Sequence, residues 1–107
     1  GLARLERFEE AGSLLRKTIP AARRVLGETR ELMLKMKKVY ADTLYMDPAA
    51  TLDDLREAVT TLEDTERTAR RVSGGAHPLT AGTDTCLRES RAALRAREET
   101  HPSSASG

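Results

Sequence analysis

The chain has 107 residues and a formal net charge of +1, and that length fits one domain. Its single cysteine excludes an intramolecular disulfide framework and a cysteine-rich zinc module. The near-zero net charge and the 3% aromatic content argue against a general nucleic-acid binder. No apolar stretch approaches the roughly 18 residues that a membrane span needs. The abundance of Ala, Leu, Arg, Glu and Lys favours helix.

The first predicted helix runs from about Leu2 to Leu26. Apolar or small residues recur at steps of three and four, which places them on one face. They are Leu2, Leu5, Phe8, Gly12, Leu15, Ile19, Ala22 and Leu26. Gly27 is the expected stop. Pro20 predicts a kink or a short break, because proline removes a helical hydrogen bond and clashes with the preceding turn.

Two further helices are predicted at about 30–46 and 52–73. The apolar stripe of the second helix consists of Met33, Met36, Val39, Tyr40, Thr43 and Leu44. That of the third consists of Leu52, Leu55, Val59, Leu62, Ala69 and Val72. Asp47-Pro48 ends the second helix, Thr51 and Asp54 resemble a capping box at the start of the third, and Gly74 follows its end.

The fourth predicted helix runs from Pro78 to about Arg97. Its stripe of Leu79, Thr83, Leu87, Ser90 and Leu94 is weak, and residues 81–85 are poor helix formers. We therefore expect a helical domain over residues 1–98 and a disordered tail over residues 99–107, whose composition is that of a linker.

An internal repeat relates the two halves of the chain. With a shift of 47 residues, 11 of the 25 positions from 3 to 27 are identical to their counterparts. About two identities are expected for unrelated segments of this composition. Shared Leu and Ala are common between amphipathic helices, but the block Ala22–Val25 followed by Gly27 also recurs as Ala69–Val72 followed by Gly74. The sequence therefore predicts a repeat of helical hairpins.

The repeated phrase resembles tetratricopeptide repeats of the kinesin light chain type. The matching residues are Ala22-Arg-Arg-Val-Leu-Gly27 and Ala69-Arg-Arg-Val-Ser-Gly-Gly-Ala-His-Pro-Leu-Thr80. The resemblance covers about residues 9–97, and Arg30-Glu31 stands where the family has His-Pro. It implies an all-α fold of antiparallel helical hairpins, a right-handed solenoid fragment of about four helices that binds proteins or peptides.

No motif for catalysis, a metal or a cofactor is apparent. His77 and His101 are the only histidines and Cys86 the only thiol. On one straight helix His77 and Cys86 are too far apart to act together as a nucleophile and base. His77 is interpreted as a helix-start residue and Cys86 as a small half-buried residue. We therefore predict a protein that is not an enzyme and holds no cofactor and no metal.

Two interaction surfaces are predicted, both for protein or peptide partners and not for nucleic acid. Lys35, Lys38, Asp42 and Tyr45 lie on one side of the second helix, where the resemblance implies the concave side of an array; an ordinary solvated face is the alternative. Leu2, Leu5 and Phe8, together with Leu15, are expected to contact preceding repeats, another subunit or a second copy. Each repeat of such an array buries its apolar face only against neighbours.

Function is predicted on this basis as a non-catalytic protein–protein interaction module. The alternatives are a structural accessory subunit packed permanently in a larger assembly and an enzyme or RNA binder. The start at Gly1 indicates a fragment or processed chain. Residues 1–20 carry no secretory signal pattern. The sequence does not identify the compartment, and the expectation is the cytoplasm or the interior of an organelle.

Overall fold

The computed structural model describes residues 2–27 and 31–100, with side chains from Arg7 onward. This part of the chain contains no strand, which confirms the predicted all-α class. It forms four helices: α1 (Leu2–Leu26), α2 (Glu31–Tyr45), α3 (Leu52–Ser73) and α4 (Pro78–Thr100). The fourth helix continues to Thr100, three residues beyond its predicted end. Residues 99 and 100, which were assigned to the tail, therefore belong to α4, and the rest of the predicted tail, residues 101–107, lies outside the described residues.

Consecutive helices pack side by side in opposite directions. Between α2 and α3, Lys37 contacts Asp64 while Tyr40 contacts Glu57, so one helix ascends as the other descends. The contacts between α1 and α2 and between α3 and α4 run in the same antiparallel order. Among the described residues, α3 packs against both α2 and α4, and α2 also packs beside α4, whereas the backbone of α1 lies beside α2 alone.

The core lies between α2 and its neighbours. Its buried members are Ile19, Met33, Tyr40, Ala41, Leu44, Ala58, Leu62, Cys86 and Leu87. A smaller cluster joins Leu34, Ala69 and Leu79. Most of these residues belong to the predicted stripes. Val39 and Val72 were expected to face inward and are instead about half exposed. Ala58 and Thr65 are fully buried without having been predicted, because small side chains allow close helix contact.

The break that Pro20 predicted does not occur, because α1 is helical on both sides of the proline. Pro20 is itself exposed. Ile19 is buried in the core, and Leu15 and Ala22 pack against the same cluster. Packing of residues both before and after the proline therefore keeps the helix continuous, despite the lost hydrogen bond.

The two ends of the internal repeat have the same backbone geometry. Gly27 and Gly74 both have positive φ, at 85° and 88°. The N–H of Gly27 donates to Arg23 O at 2.9 Å, and that of Gly74 donates to Arg70 O at 3.0 Å. A left-handed φ with this bond to a carbonyl of the last turn favours glycine. The local structure therefore repeats with the sequence.

The middle of α4 is helical although its residues are poor helix formers. Thr80 and Thr83 are fully buried, and the Thr83 hydroxyl donates to Leu79 O at 2.7 Å. Gly82 leaves space beside α2, since a Cβ added there would lie 3.7 Å from Cε of Lys38. Tertiary packing therefore outweighs weak helix propensity here.

The predicted capping box at the start of α3 is confirmed. The Thr51 side chain accepts a bond from Asp54 N at 3.1 Å, and the Asp54 carboxylate accepts one from Thr51 N at 3.0 Å. We expect Thr51→Ala to lower the free energy of unfolding by about 1 kcal/mol, because it leaves a helix-start N–H without its partner. Urea denaturation measures this loss. Thr60→Ala, at an exposed mid-helix position, is the control and should change stability by less. Equal effects would contradict the capping role.

Candidate functional site

The predicted α2 surface is only partly free. Lys35 is exposed, and its Nζ lies 3.6 Å from Glu31 Oε1. Lys38 and Asp42 are mostly buried and form an ion pair at 3.5 Å. Tyr45 is half-buried and packs against the core. Lys35 is therefore the only one of the four whose side chain is mostly exposed.

The other three residues line the contact between α2 and α4. Lys38 lies over Gly82, and Tyr45 lies beside Cys86. Burial, reinforced by the neighbouring Cys86 thiol, raises the pKa of Tyr45. Burial also raises the pKa of the Cys86 thiol, and the nearby Asp42 carboxylate adds to the increase. This cluster joins two helices and keeps the thiol protonated.

Cys86 should therefore react slowly with thiol reagents in the folded protein. Only 9% of the residue is exposed, and a raised thiol pKa reduces the reactive thiolate. We expect labelling with a disulfide reagent at neutral pH to be at least about tenfold faster in denaturant than in buffer. Comparable rates in the two solutions would show that the thiol is accessible in the native state.

His77 has the structural role that the sequence indicated. Its Nδ1 accepts a hydrogen bond from Leu79 N at 3.0 Å, at the start of α4. Its Nε2 lies 3.9 Å from Glu31 Oε1. Within the described ranges, no group of three His, Cys, Asp or Glu side chains is arranged to hold a metal ion. His101 lies outside those ranges.

A polar cluster that the sequence analysis missed joins the first three helices. Arg16 donates to the Tyr40 hydroxyl through Nη2 at 2.7 Å and Nε at 3.2 Å, and that hydroxyl donates to the Glu57 carboxylate. Arg16 Nη2 also lies 3.5 Å from Glu57 Oε1. Burial raises the pKa of Tyr40, so the hydroxyl keeps its donor proton. Glu57 is one of the residues that the internal repeat conserves from Glu10, and this was the one feature of the sequence that could have drawn attention to the cluster.

Phe8 lies toward the interior of the α1–α2 pair. It is half-buried and lines a recess of about 190 Å³ with Gly12, Tyr40 and Leu44. Leu15 is also half-buried against the core. The other two residues of this predicted surface, Leu2 and Leu5, lie outside the described side chains. Their contact with a partner stays a prediction.

Large apolar side chains are exposed on a different side of α1 and α2. The exposed fractions are 65% for Leu14, 84% for Val25, 56% for Leu32, 47% for Val39 and 55% for Met46. We call these five residues the open face. Leu32, Val39 and Met46 follow one another at steps of seven, which places them along one line of α2 and its end.

Both parts of the open face point away from α3. Arg16 and Arg23 mark the side of α1 nearest α3, since both lie with Glu57 around one recess. Leu14 is two residues from Arg16, and Val25 is two residues from Arg23. Two residues correspond to about 200° of rotation, so Leu14 and Val25 lie on the opposite side of α1. On α2, Val39 is two residues from Lys37, which contacts Asp64 of α3. The two apolar lines therefore share one side of the α1–α2 pair.

No protein-family model, curated protein or solved structure matches the chain. Among the described residues, no helix is long and apolar enough to cross a bilayer. The resemblance to tetratricopeptide repeats therefore depends on the repeated residues themselves.

Proposed function

We propose that the chain is a helical-repeat module of the tetratricopeptide-like kind that holds partner proteins or peptides and performs no chemistry. The observation that carries the proposal is the open face. Exposed apolar side chains gathered on one side of a folded domain mark interaction surfaces. Polar residues border this face, among them Lys17, Arg24 and Lys35, as expected of a protein interface with an apolar centre.

The repeat geometry supports the tetratricopeptide-like part of the proposal. Consecutive helices alternate in direction. Gly27 and Gly74, at the equivalent helix ends of the two repeats, share a positive φ. The helix α2 also lies beside α4, its counterpart in the next repeat. Stacked helical hairpins make such contacts between neighbouring repeats. The surface of Lys35, Lys38, Asp42 and Tyr45 stays a second proposed contact region, with Lys35 as its most accessible member.

A displayed library of helical and extended peptide segments would test this function. We expect the intact chain to select segments whose binding is lost in Val39→Asp and kept in Val72→Asp. Val72 is the matched control because it is a similarly exposed valine, on α3. Failure to select any segment specifically would contradict the proposal. Thermal unfolding of each variant would exclude loss of the fold as the cause.

A permanently bound structural subunit is the alternative, and the open face is compatible with it as well. The lifetime of the complex distinguishes the two. An interaction module exchanges its bound segment on dilution, whereas a permanent subunit does not release its partner without unfolding.

A further inference from the structure

The internal repeat allows each helix to be compared with its own counterpart. A shift of 47 residues relates α1 to α3 and the first residue of α2, Glu31, to the first residue of α4, Pro78. In the second repeat, α2 packs against both α3 and α4. The corresponding helix of the first repeat would pack against both α1 and α2. No described helix lies there.

Identical residues are less buried in α1 than in α3. Ala58, Leu62, Thr65 and Ala69 of α3 have no exposed surface. Their counterparts of the same residue type in α1 are all half-buried; they are Ala11, Leu15, Thr18 and Ala22. Residue type cannot cause this difference. It arises because α3 has a helix on each side and α1 has a helix on one side only.

The same comparison holds between α2 and α4. Leu79 and Cys86 of α4 are 7% and 9% exposed, and both lie on the side where α2 packs. Their counterparts in α2 are Leu32 and Val39, which belong to the open face. In the second repeat, α2 covers Leu79 and Cys86 of α4. The corresponding residues of α2, Leu32 and Val39, have no described helix over them.

We propose that the open face binds one amphipathic helix of a partner protein, which lies on α1 and α2 as α2 lies on α3 and α4, with an acidic side chain facing Lys17. This inference rests on the proposed function and specifies its partner. The matching internal interface supplies the pattern of the bound helix, because α2 shows which side chains fill such a groove.

The acidic side chain expected on the bound helix is inferred from a difference in charge between the two repeats. In the internal interface, the buried Lys37 of α2 donates to Asp64 of α3. The position of Asp64 is occupied in α1 by Lys17, which is exposed and has no ion-pair partner among the described residues. A bound helix with Lys at the Lys37 position would place two cations together. A helix with Glu or Asp there would form the pair in reverse.

The bound helix must also have a small side chain at the position that corresponds to Ala41. Ala41 of α2 is fully buried in the core between the helices. The bound helix therefore needs a small residue four positions after its acidic one. The α4 helix of a second copy has Asp84 at the first position but Arg88 at the second, where a guanidinium would clash or be buried. A separate partner helix therefore fits better than α4 of a second copy placed in the register that the repeat defines.

The probe is a labelled peptide with the sequence of residues 31–46 and the change Lys37→Glu, measured by fluorescence anisotropy against the intact chain. The matched control peptide retains Lys37. We expect the Glu peptide to bind at least about tenfold more tightly than the Lys peptide. With the Lys17→Glu variant of the chain, this preference should reverse. Leu32→Asp and Val39→Asp should abolish binding, while Val72→Asp should not.

A tethered version keeps the test decisive if the free peptide is only weakly helical, as short peptides often are. The same two peptide sequences are joined to the start of the intact chain by a flexible linker, which raises their effective concentration to the millimolar range. Thermal unfolding should then give a higher Tm with Glu than with Lys. Absence of binding in both formats, or a preference unaffected by Lys17→Glu, would refute the inference.

Two other results would separate this inference from the proposed function. If the displayed library yields segments that bind regardless of Lys17, the interaction module stands and the acidic helix is wrong. If sedimentation shows a dimer that Leu32→Asp or Val39→Asp disrupts, a second copy occupies the open face and the partner helix is wrong.

Discussion

Leu62→Ala is expected to lower the free energy of unfolding by about 2–5 kcal/mol, the range for a fully buried leucine. Leu62 has no exposed surface and belongs to the main core cluster. Truncation there would leave a cavity enclosed by helices on both sides. The same change at Leu15, its counterpart in the first repeat, should cost less than about 2 kcal/mol, because that side chain is only half-buried.

Urea denaturation of the two single variants and their parent measures both losses. The exposed Thr60 provides the surface control through Thr60→Ala. Equal losses at Leu15 and Leu62 would contradict the unequal cover of α1 and α3. A bound probe helix should increase the loss at Leu15 and leave the loss at Leu62 almost unchanged, because it covers the first repeat alone.

Asp64→Asn is expected to lower the free energy of unfolding by about 1–3 kcal/mol, because the largely buried Lys37 ammonium loses the charge of a carboxylate to which it donates. Lys37 donates to Asp64, and the lysine side chain is 8% exposed. By contrast, Lys37→Met keeps the length of the side chain and removes the buried charge. It should cost less than Asp64→Asn, because the Asp64 carboxylate that it leaves behind is 54% exposed and stays solvated.

The pH dependence of stability checks the same pair. The hydrogen bond from Lys37 lowers the pKa of Asp64 below its ordinary value of 3.8. A lowered carboxyl pKa in the folded state stabilises the protein fully above that ordinary value, and this stabilisation is lost as the pH falls through the lower folded value. Asp64→Asn should therefore lose less stability than the parent between about pH 5 and about pH 2. Parallel acid profiles would show that the pair contributes nothing.

The helices themselves could be predicted from local sequence. Apolar spacing, Thr51 with Asp54, and the glycines at 27 and 74 placed the four helices within three residues of their observed ends. These signals depend on neighbouring residues along the chain, and the hydrogen bonds of a helix do too. Of the kink or short break predicted at Pro20, the break does not occur, because the packing of α1 against the core outweighs a purely local cost.

Burial was harder to predict from periodicity alone. A helical stripe shows which residues share a face, but not how many helices cover it. Val39 lies next to Tyr40 in the predicted stripe and is nevertheless about half exposed. Lys37 was assigned to no apolar face and is nevertheless buried. Both outcomes depend on where α3 lies relative to α2.

The sequence by itself determined the all-α class, the repeat of 47 residues, the helix ends and the structural role of His77. These features depend on residue type, spacing and local hydrogen bonds. Only the tertiary structure decided that Lys38, Asp42 and Tyr45 line the α2–α4 contact, and that Leu14, Val25 and Val39 are exposed. The physical reason is that corresponding helices of the two repeats have different numbers of neighbours: α3 lies between two helices, whereas α1 is covered on one side.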